Sequence, residues 1–376
     1  MSAQELKFDK DAFLARHWQR EPLLIRNALP GFEVPLSADE LAGLAMEDGI
    51  ESRIIESNDD HWLLHHGPFS EADFQRDHPW TLLVQAVDHY IPEVAALRTL
   101  VDFLPQWRVD DVMVSYATDG GSVGPHYDNY DVFLLQGEGQ RRWQLGQFCD
   151  ADSPLSAHDE LRILANFECS QEYLLGPGDI LYVPPGIAHW GIAQGECTTF
   201  SIGFRAPRVN EMVSRWTDRL LESADPELFY SDSHIEAASR AGEIRPRDLQ
   251  RALAQLQAAL DQEVDNHWFG ELVTEPRYDN LSDDDDLAEA RQLLRDGPAL
   301  VSRVAAAKLA WQQDTDGIRV FANGDSRSFS PDVLPALMTL CEHRELAGDV
   351  LANARAAGHT AALLDYLLEM GAIYVE

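Results

Sequence analysis

The sequence predicts a mixed α and β protein made of a β-barrel, a helical connector and a small α/β tail. Three observations predict it. Between residues 107 and 204, short apolar runs alternate with Gly- and Pro-containing turns at strand spacing. From Met212 onward the apolar residues recur at helical spacing, at Met212, Trp216, Leu220 and Leu221, and again at Leu249, Leu253, Leu256 and Leu260. Towards the C-terminus, residues 320–323 and 326–329 flank a Gly324-Asp325 turn, two helical patterns follow, and residues 373–375 close the chain as a strand. At 376 residues the chain has room for two or three domains, each with its own core. The divisions are expected at 1–207 for the barrel, 208–275 for the connector and 276–376 for the tail.

In chain order, residues 11–17 read as a short helix and 22–26 as an apolar strand that ends at Leu29-Pro30-Gly31. Ser37-Ala-Asp-Glu40 is a capping box opening a helix over 38–46. Residues 52–56 and 61–65 pair as strands across the polar Asn58-Asp59-Asp60 turn. His65 and His66 are adjacent, so on a strand they face opposite ways and read as surface or packing residues. Residues 80–104 are expected to be mostly helical with a break near Pro92, packed outside the barrel. Strands then follow over 107–117, 131–136, 141–145, 172–175 and 198–204, with a polar excursion at 149–167 near the entrance. Residues 225–246 form a polar joint between the two connector helices. A boundary falls at 276–282, and the acids 283–286 open a helix over 287–295, where they suit its macrodipole. The order of the last elements resembles a winged-helix module. Residues 331–376 carry two arginines against seven acids, which disfavours DNA binding.

Chemistry concentrates in Gly124-Pro-His-Tyr-Asp-Asn-Tyr-Asp-Val-Phe-Leu-Leu-Gln136, where His126 and Asp128 stand two residues apart at the start of an apolar strand. Alternation along a strand points both side chains the same way. A third ligand is available in Gly178-Asp-Ile-Leu-Tyr-Val-Pro-Pro-Gly-Ile-Ala-His189, a turn, a short buried strand and a Pro-Gly bend presenting His189. A lone His-x-Asp is equally the mark of an N-cap or a surface ion pair, and a Gly-Asp turn occurs in any barrel hairpin. Together and in this order they read as a two-His, one-carboxylate triad with open positions, the arrangement of non-haem Fe(II) oxygenases.

Arg141 and Arg142 follow the Gly137-Glu-Gly139 turn on the return strand. Successive strand residues face opposite sides, so one of the two can reach the cavity and grip a carboxylate with its forked donors; periodicity does not choose between them. Ser201 is a small polar residue among apolar ones, and its hydroxyl bonds either a cofactor carboxylate or a neighbouring backbone group.

Composition limits the partners. Lys and Arg number 29 against 64 Asp and Glu, a formal charge of −35, which repels a phosphate backbone and draws cationic polypeptides. The acidity also serves solubility. The cysteines at 149, 169, 197 and 341 show neither zinc nor disulfide spacing, so a reducing compartment is expected. No apolar leader opens the chain and no apolar run is long enough to cross a bilayer, so the expectation is a cytoplasmic protein with no membrane partner. The amphipathic connector helices favour a homodimer.

Nearly the whole chain resembles the JmjC-type ribosomal oxygenases, specifically the bacterial cupin-like arginine hydroxylases of a large-subunit ribosomal protein. The resemblance is carried by residues 124–133, by Gly139-Gln-Arg-Arg-Trp143, by residues 177–186 followed by His189, and by Ser201-Ile-Gly-Phe-Arg-Ala-Pro207. It implies a double-stranded β-helix (cupin, or jelly-roll, JmjC) barrel, a helical dimerisation segment and a C-terminal winged-helix domain. It further implies Fe(II) held by His126, Asp128 and His189, 2-oxoglutarate held by Arg141 with Ser201 as helper, and hydroxylation of an arginine β-carbon in large-subunit ribosomal protein sixteen. The substrate arginine is placed near Met113, Ser115 and Tyr130, on the strands flanking the triad; packing is the alternative role of Tyr130. Histidine hydroxylation or lysine demethylation on another basic protein would use the same metal centre. A non-catalytic cupin-like binding protein and a metal-dependent isomerase are the readings outside oxygenase chemistry.

Overall fold

The computed structural model describes every residue except 1–5, 7, 59–60, 159, 238–239, 262–264, 279–283, 298–299, 316, 349–350 and 353–357. The chain divides into two compact units, residues 1–206 with 303–306, and residues 207–302 with 307–376.

The first unit holds eleven strands among its described residues: β1 (Leu23–Ile25), β2 (Ser52–Asn58), β3 (His61–His66), β4 (Trp80–Val84), β5 (Val109–Ala117), β6 (Val132–Gln136), β7 (Gln140–Phe148), β8 (Gln171–Leu175), β9 (Ile180–Val183), β10 (Ile187–Gln194) and β11 (Cys197–Phe204). Eight of them form one sheet in the order β1-β9-β6-β11-β5-β4-β2-β3, and the other three form a second in the order β10-β7-β8. Strand alternation gives the large sheet two different faces. Ser201 lies opposite both Leu134 and Met113, and Ser115 lies opposite Thr199 and Leu83, so these residues share one face. On that face Val132, Leu134, Leu181 and Val183 pack against Trp143, Leu145 and Leu175 of the small sheet, forming the barrel interior. The other face presents Val112, Val114, Phe133, Leu135, Phe200 and Ile202 to a larger core shared with Phe13, Leu41 and Leu100.

That outer core is closed by short helices whose ends are fixed locally. Helix α1 (Lys10–Arg16) is capped by Asp9, whose carboxylate accepts from the Ala12 amide. Helix α2 (Ala38–Met46) carries the expected capping box, Glu40 reaching back to the Ser37 amide at 2.9 Å.

Two expectations fail here for physical reasons. Residues 80–84 are a strand, not the start of a helix. All five residues of β4 are buried, paired on one side with β2 and on the other with β5. A short apolar run buried on both faces has no period to read, and tertiary pairing decides it. Ala86 then turns the chain through a left-handed conformation, φ 52°, and only short helical turns follow, including α3 (Pro92–Ala95). The strand expected from 107 begins at Val109, after a 3-10 turn over Gln106–Arg108. The turn at 59–60 lies outside the described residues.

In the second unit, α4 (Val209–Ser223) and α5 (Pro246–Leu260) follow the helical spacing of the sequence. Helix α6 (His267–Thr274) is followed by α7 (Asp284–Asp296); most of the 276–282 boundary and the first of its acids lie outside the described residues. Two three-stranded sheets complete the unit: β12 (Leu300–Arg303) lies between β16 (Glu345–Ala347) and β17 (Ile373–Val375), and β14 (Ile318–Ala322) lies between β13 (Leu309–Gln313) and β15 (Asp325–Phe329). Helices α8 (Leu334–Glu342) and α9 (Gly358–Glu369) supply much of the buried surface, including Leu337, Leu340, Leu363 and Leu367. The joint between α4 and α5, expected to be polar, exposes Leu228, Phe229, Tyr230, Ile235 and Ile244.

Leu135 is fully buried in the outer core, so Leu135→Ala should destabilise the protein by about 2–5 kcal/mol in urea unfolding. A loss below about 1 kcal/mol would mean that the sheet does not depend on this layer.

Candidate metal centre and active site

Two backbone hydrogen bonds clamp the segments that carry the candidate ligands together. The His126 amide donates to the His189 carbonyl at 3.0 Å, and the His189 amide returns to the His126 carbonyl at 2.8 Å. The Gly186 amide adds a bond to the Asp128 carbonyl at 2.8 Å. Gly186 is required where it stands: its φ is +78°, and a Cβ there would lie 2.5 Å from the Phe148 ring. A register shift between Ile187 and His189 turns the start of β10 so that His189 faces inward.

The local conformation differs from the expectation of a regular strand. Strand β6 begins only at Val132; His126 sits in an isolated bridge and Asp128 in an irregular segment. The convergence is nevertheless tight. One ligating atom from each of His126, Asp128 and His189 lies within 4.8 Å of the others, and Asp128 Oδ2 is 3.6 Å from His189 Nε2.

Both histidines use one ring nitrogen to fix the other. His126 Nδ1 lies 2.9 Å from the Gly124 carbonyl, and His189 Nδ1 lies 2.9 Å from the Ile187 carbonyl. A carbonyl can only accept, so Nδ1 carries the proton in both rings and Nε2 offers its lone pair to the centre. Burial, reinforced by the neighbouring His126, holds the His189 pKa down at about 4, so its imidazole is neutral and able to ligate at neutral pH. Two imidazole Nε2 atoms and one carboxylate converging from the same side fit a divalent first-row metal with free positions opposite.

The second feature of the cavity is a buried cation. Arg141, Trp143 and Leu145 alternate along β7 on the inner face; Leu145 pairs with His189, and the Trp143 and His189 rings lie 6.0 Å apart. Arg141 is 4% exposed, and its Nε and Nη2 have no hydrogen-bond partner among the described residues. Leaving such donors unpaired is costly, so the site suits an anion. Arg142, half-buried, belongs to the opposite face of the strand.

Met113, Ser115 and Ser201 share the inner face of the large sheet, Ser115 and Ser201 being buried and Met113 half-buried. Tyr130 is partly exposed; the Asp128 carboxylate raises its phenol pKa well above the ordinary range, with burial and Asp111 acting in the same direction. Asp111, 4% exposed and on the same face of β5 as Met113 and Ser115, is an inner-face residue absent from the sequence-based expectations. Its signal was available, because i, i+2, i+4 spacing from Asp111 through Met113 to Ser115 selects one strand face. The excursion at 149–167 is tied to the metal segment: the Leu164 amide bonds the Pro125 carbonyl at 2.8 Å, and Arg162 donates to the Tyr127 hydroxyl at 3.2 Å.

Comparison with known proteins places the chain in a family. The JmjC domain family matches residues 96–212, and the ROXA-like winged helix family matches residues 255–374. The chain is 38% identical over 268 residues to the ribosomal protein uL16 3-hydroxylase of Escherichia coli K12, covering 71% of this chain and 72% of that protein. It is 35% identical to a probable ribosomal oxygenase of Haemophilus influenzae, covering 84% and 81%. The chain belongs to the JmjC-type ribosomal oxygenases. The X-ray structure of E. coli ycfD superposes with a TM-score of 0.84 at 34% identity over 99% of both chains. Another structure of that ribosomal oxygenase, in complex with cobalt and 2-oxoglutarate, gives a TM-score of 0.81 at 33% identity, also over 99% of both chains. The fold of this ribosomal oxygenase is thus the cupin-like JmjC barrel followed by a winged helix. Among its described residues, no helix is long and apolar enough to cross a membrane.

Asp128→Ala or His189→Ala should weaken Co(II) binding, measured by calorimetric titration, by more than the roughly 10- to 100-fold that loss of an outer-sphere partner costs. Unchanged affinity in either variant would remove that residue from the ligand set.

Proposed function

We propose that this protein is an Fe(II)- and 2-oxoglutarate-dependent oxygenase that hydroxylates the β-carbon of an arginine side chain in ribosomal protein uL16. The observation that carries the proposal is the juxtaposition of three converging ligand atoms with a buried guanidinium whose Nε and Nη2 have no partner among the described residues. Carbon 3 of an amino acid is its β-carbon, in keeping with the name of the E. coli relative.

His126, Asp128 and His189 would hold the iron from one side. Arg141 would hold the distal carboxylate of 2-oxoglutarate: it stands four residues from Leu145, the partner of His189, which places the two backbones about 13 Å apart along the sheet. The long arginine side chain bridges part of that span and leaves room for a five-carbon diacid. Ser201, on the facing wall, offers a hydroxyl to the same carboxylate. When bound, iron and 2-oxoglutarate supply oxygen activation, with 2-oxoglutarate oxidised to succinate and CO₂ as one oxygen atom enters a C–H bond.

The remaining inner-face residues orient the substrate. Met113 and Tyr130 would flank the aliphatic part of the arginine, Ser115 would bond its polar end, and the Asp111 carboxylate would accept from its guanidinium. Histidine and methylated lysine lack the forked donor set that matches a carboxylate, so arginine is favoured over them. The charge of −35 suits capture of a basic ribosomal protein and disfavours DNA. Such a substrate is in keeping with a cytoplasmic enzyme.

The second unit supplies the second copy's docking face in this proposal. Val209 and Val213 on α4, and Leu249, Leu253 and Leu256 on α5, are each more than half exposed. Residues 208–275 would form the dimerisation segment between the oxygenase domain, 1–207, and the winged-helix domain, 276–376. Leu253→Glu combined with Leu256→Glu should convert a dimer to a monomer in sedimentation velocity; a wild-type protein that sediments as a monomer would overturn the dimer.

The function is tested by mass spectrometry of uL16 peptides incubated with enzyme, Fe(II), 2-oxoglutarate and air. One oxygen added to an arginine, absent with Asp128→Ala, is expected. Oxygen on a histidine, or loss of methyl groups from lysine, would replace the arginine reading. In the same assay Arg141→Ala should raise the KM for 2-oxoglutarate at least about tenfold.

A further inference from the structure

Asp111 sits where β5 departs from regular pairing. Val112 lies opposite Ile202 and Val109 opposite Phe204, so Asp110 and Asp111 together face the single residue Gly203. This is a β-bulge, which locally breaks the ladder and re-aims a side chain. The bulge is held from outside the sheet. The Val112 amide donates to Asp88 Oδ1 at 2.8 Å, and Arg98 Nη1 donates to Asp88 Oδ2 at 3.0 Å. Asp88 and Arg98 are 1% and 7% exposed, so this buried pair is a fixed part of the wall.

The Asp111 side chain has its own orienting bond. Gln85 Nε2 donates to Asp111 Oδ2 at 2.8 Å. Gln85 directly follows β4, and its backbone amide donates to the Glu51 carbonyl at 2.9 Å, so the amide group is presented from a fixed point. The other carboxylate oxygen, Oδ1, looks towards Gly203, where an added Cβ would lie 3.7 Å from it. A primary amide fixes the plane of a carboxylate while contributing no charge of its own.

We infer that Gln85 is a positioning residue for substrate recognition: it sets the orientation of the Asp111 carboxylate that meets the arginine guanidinium. The inference rests on the reading of this site as an arginine hydroxylase in which Asp111 is the guanidinium acceptor. A planar guanidinium bonds a carboxylate through two parallel N–H donors only when the two planes match, so an unfixed carboxylate loses that geometry. The role of Gln85 is therefore felt in binding of the arginine and not at the iron.

The test uses the full-length enzyme with Fe(II), 2-oxoglutarate and an arginine-containing uL16 peptide. Gln85→Met removes both donors; Gln85→Glu keeps the shape of the side chain and places a like charge beside Asp111, which secures the test if the first variant fails to fold. Both should raise the peptide KM by about tenfold or more, with most of the effect in KM and little in kcat. In a double-mutant cycle, Gln85→Met should add little to Asp111→Asn, because an orienting bond has nothing left to orient. Additive effects, or a peptide KM within about twofold of wild type for the Gln85 variants while Asp111→Asn raises it, would overturn the inference and leave Asp111 in its role. An unchanged KM for Asp111→Asn would overturn the reading on which it rests.

Discussion

The structure of the site depends on one reciprocal pair of hydrogen bonds, between the backbones of His126 and His189. The two residues are far apart in sequence, and His126 meets strand β10 at His189 through an isolated bridge, outside any strand of its own. Pairing their main chains brings the rings within 4.3 Å of one another, centroid to centroid, before any metal is considered. Each ring is then oriented by a carbonyl two residues upstream in its own chain. The three candidate ligands are thus brought together by local backbone geometry. This is the arrangement in which a metal site is preorganised by the fold instead of being gathered by the ion.

The second determinant is the alternation of the large sheet. A single strand such as β11 serves two environments: Phe200 and Ile202 fill the outer core, while Thr199 and Ser201 face the barrel interior. The same division on β5 separates Val112 and Val114 from Met113 and Ser115. A residue's chemistry is consequently assigned by parity, and a slip of one position would exchange core for cavity along the whole strand. The buried bulge at Asp110 and Asp111 is tolerated because Asp88 takes up the amide it frees.

Much of this was legible in the sequence because the relevant signals are local. The capping box at Ser37 and Glu40, the Pro-Gly bend before His189 and the paired arginines on a strand each have a meaning that neighbouring residues fix. The convergence of His126, Asp128 and His189 is legible in the sequence, but its route is not: His126 and Asp128 come together through an irregular bend and not through strand alternation. Residues 80–84 were misread as helical because pairing with β2 and β5, both distant in sequence, overrides a run with no usable period. Asp111 was missed for a related reason. Beside Asp110 it reads as a solvent-facing acid, although its spacing to Met113 and Ser115 sets it on their face; the bulge and the bond from Gln85 show why it is buried there.

The row of Arg141, Trp143 and Leu145 has a wider consequence. With Arg141 as the proposed anchor, its separation from the three candidate ligands is counted in whole residues along a pleated chain. Moving the anchor by one residue would turn it to the wrong side of the sheet, and moving it by two would shift it by roughly 7 Å, more than a carbon–carbon bond can accommodate. In the proposed role of Arg141 the site would measure its organic acid with a ruler graduated too coarsely for gradual adjustment. A descendant could exchange its protein substrate by small steps, through the walls and the entrance, while the length of its small-molecule partner stayed locked.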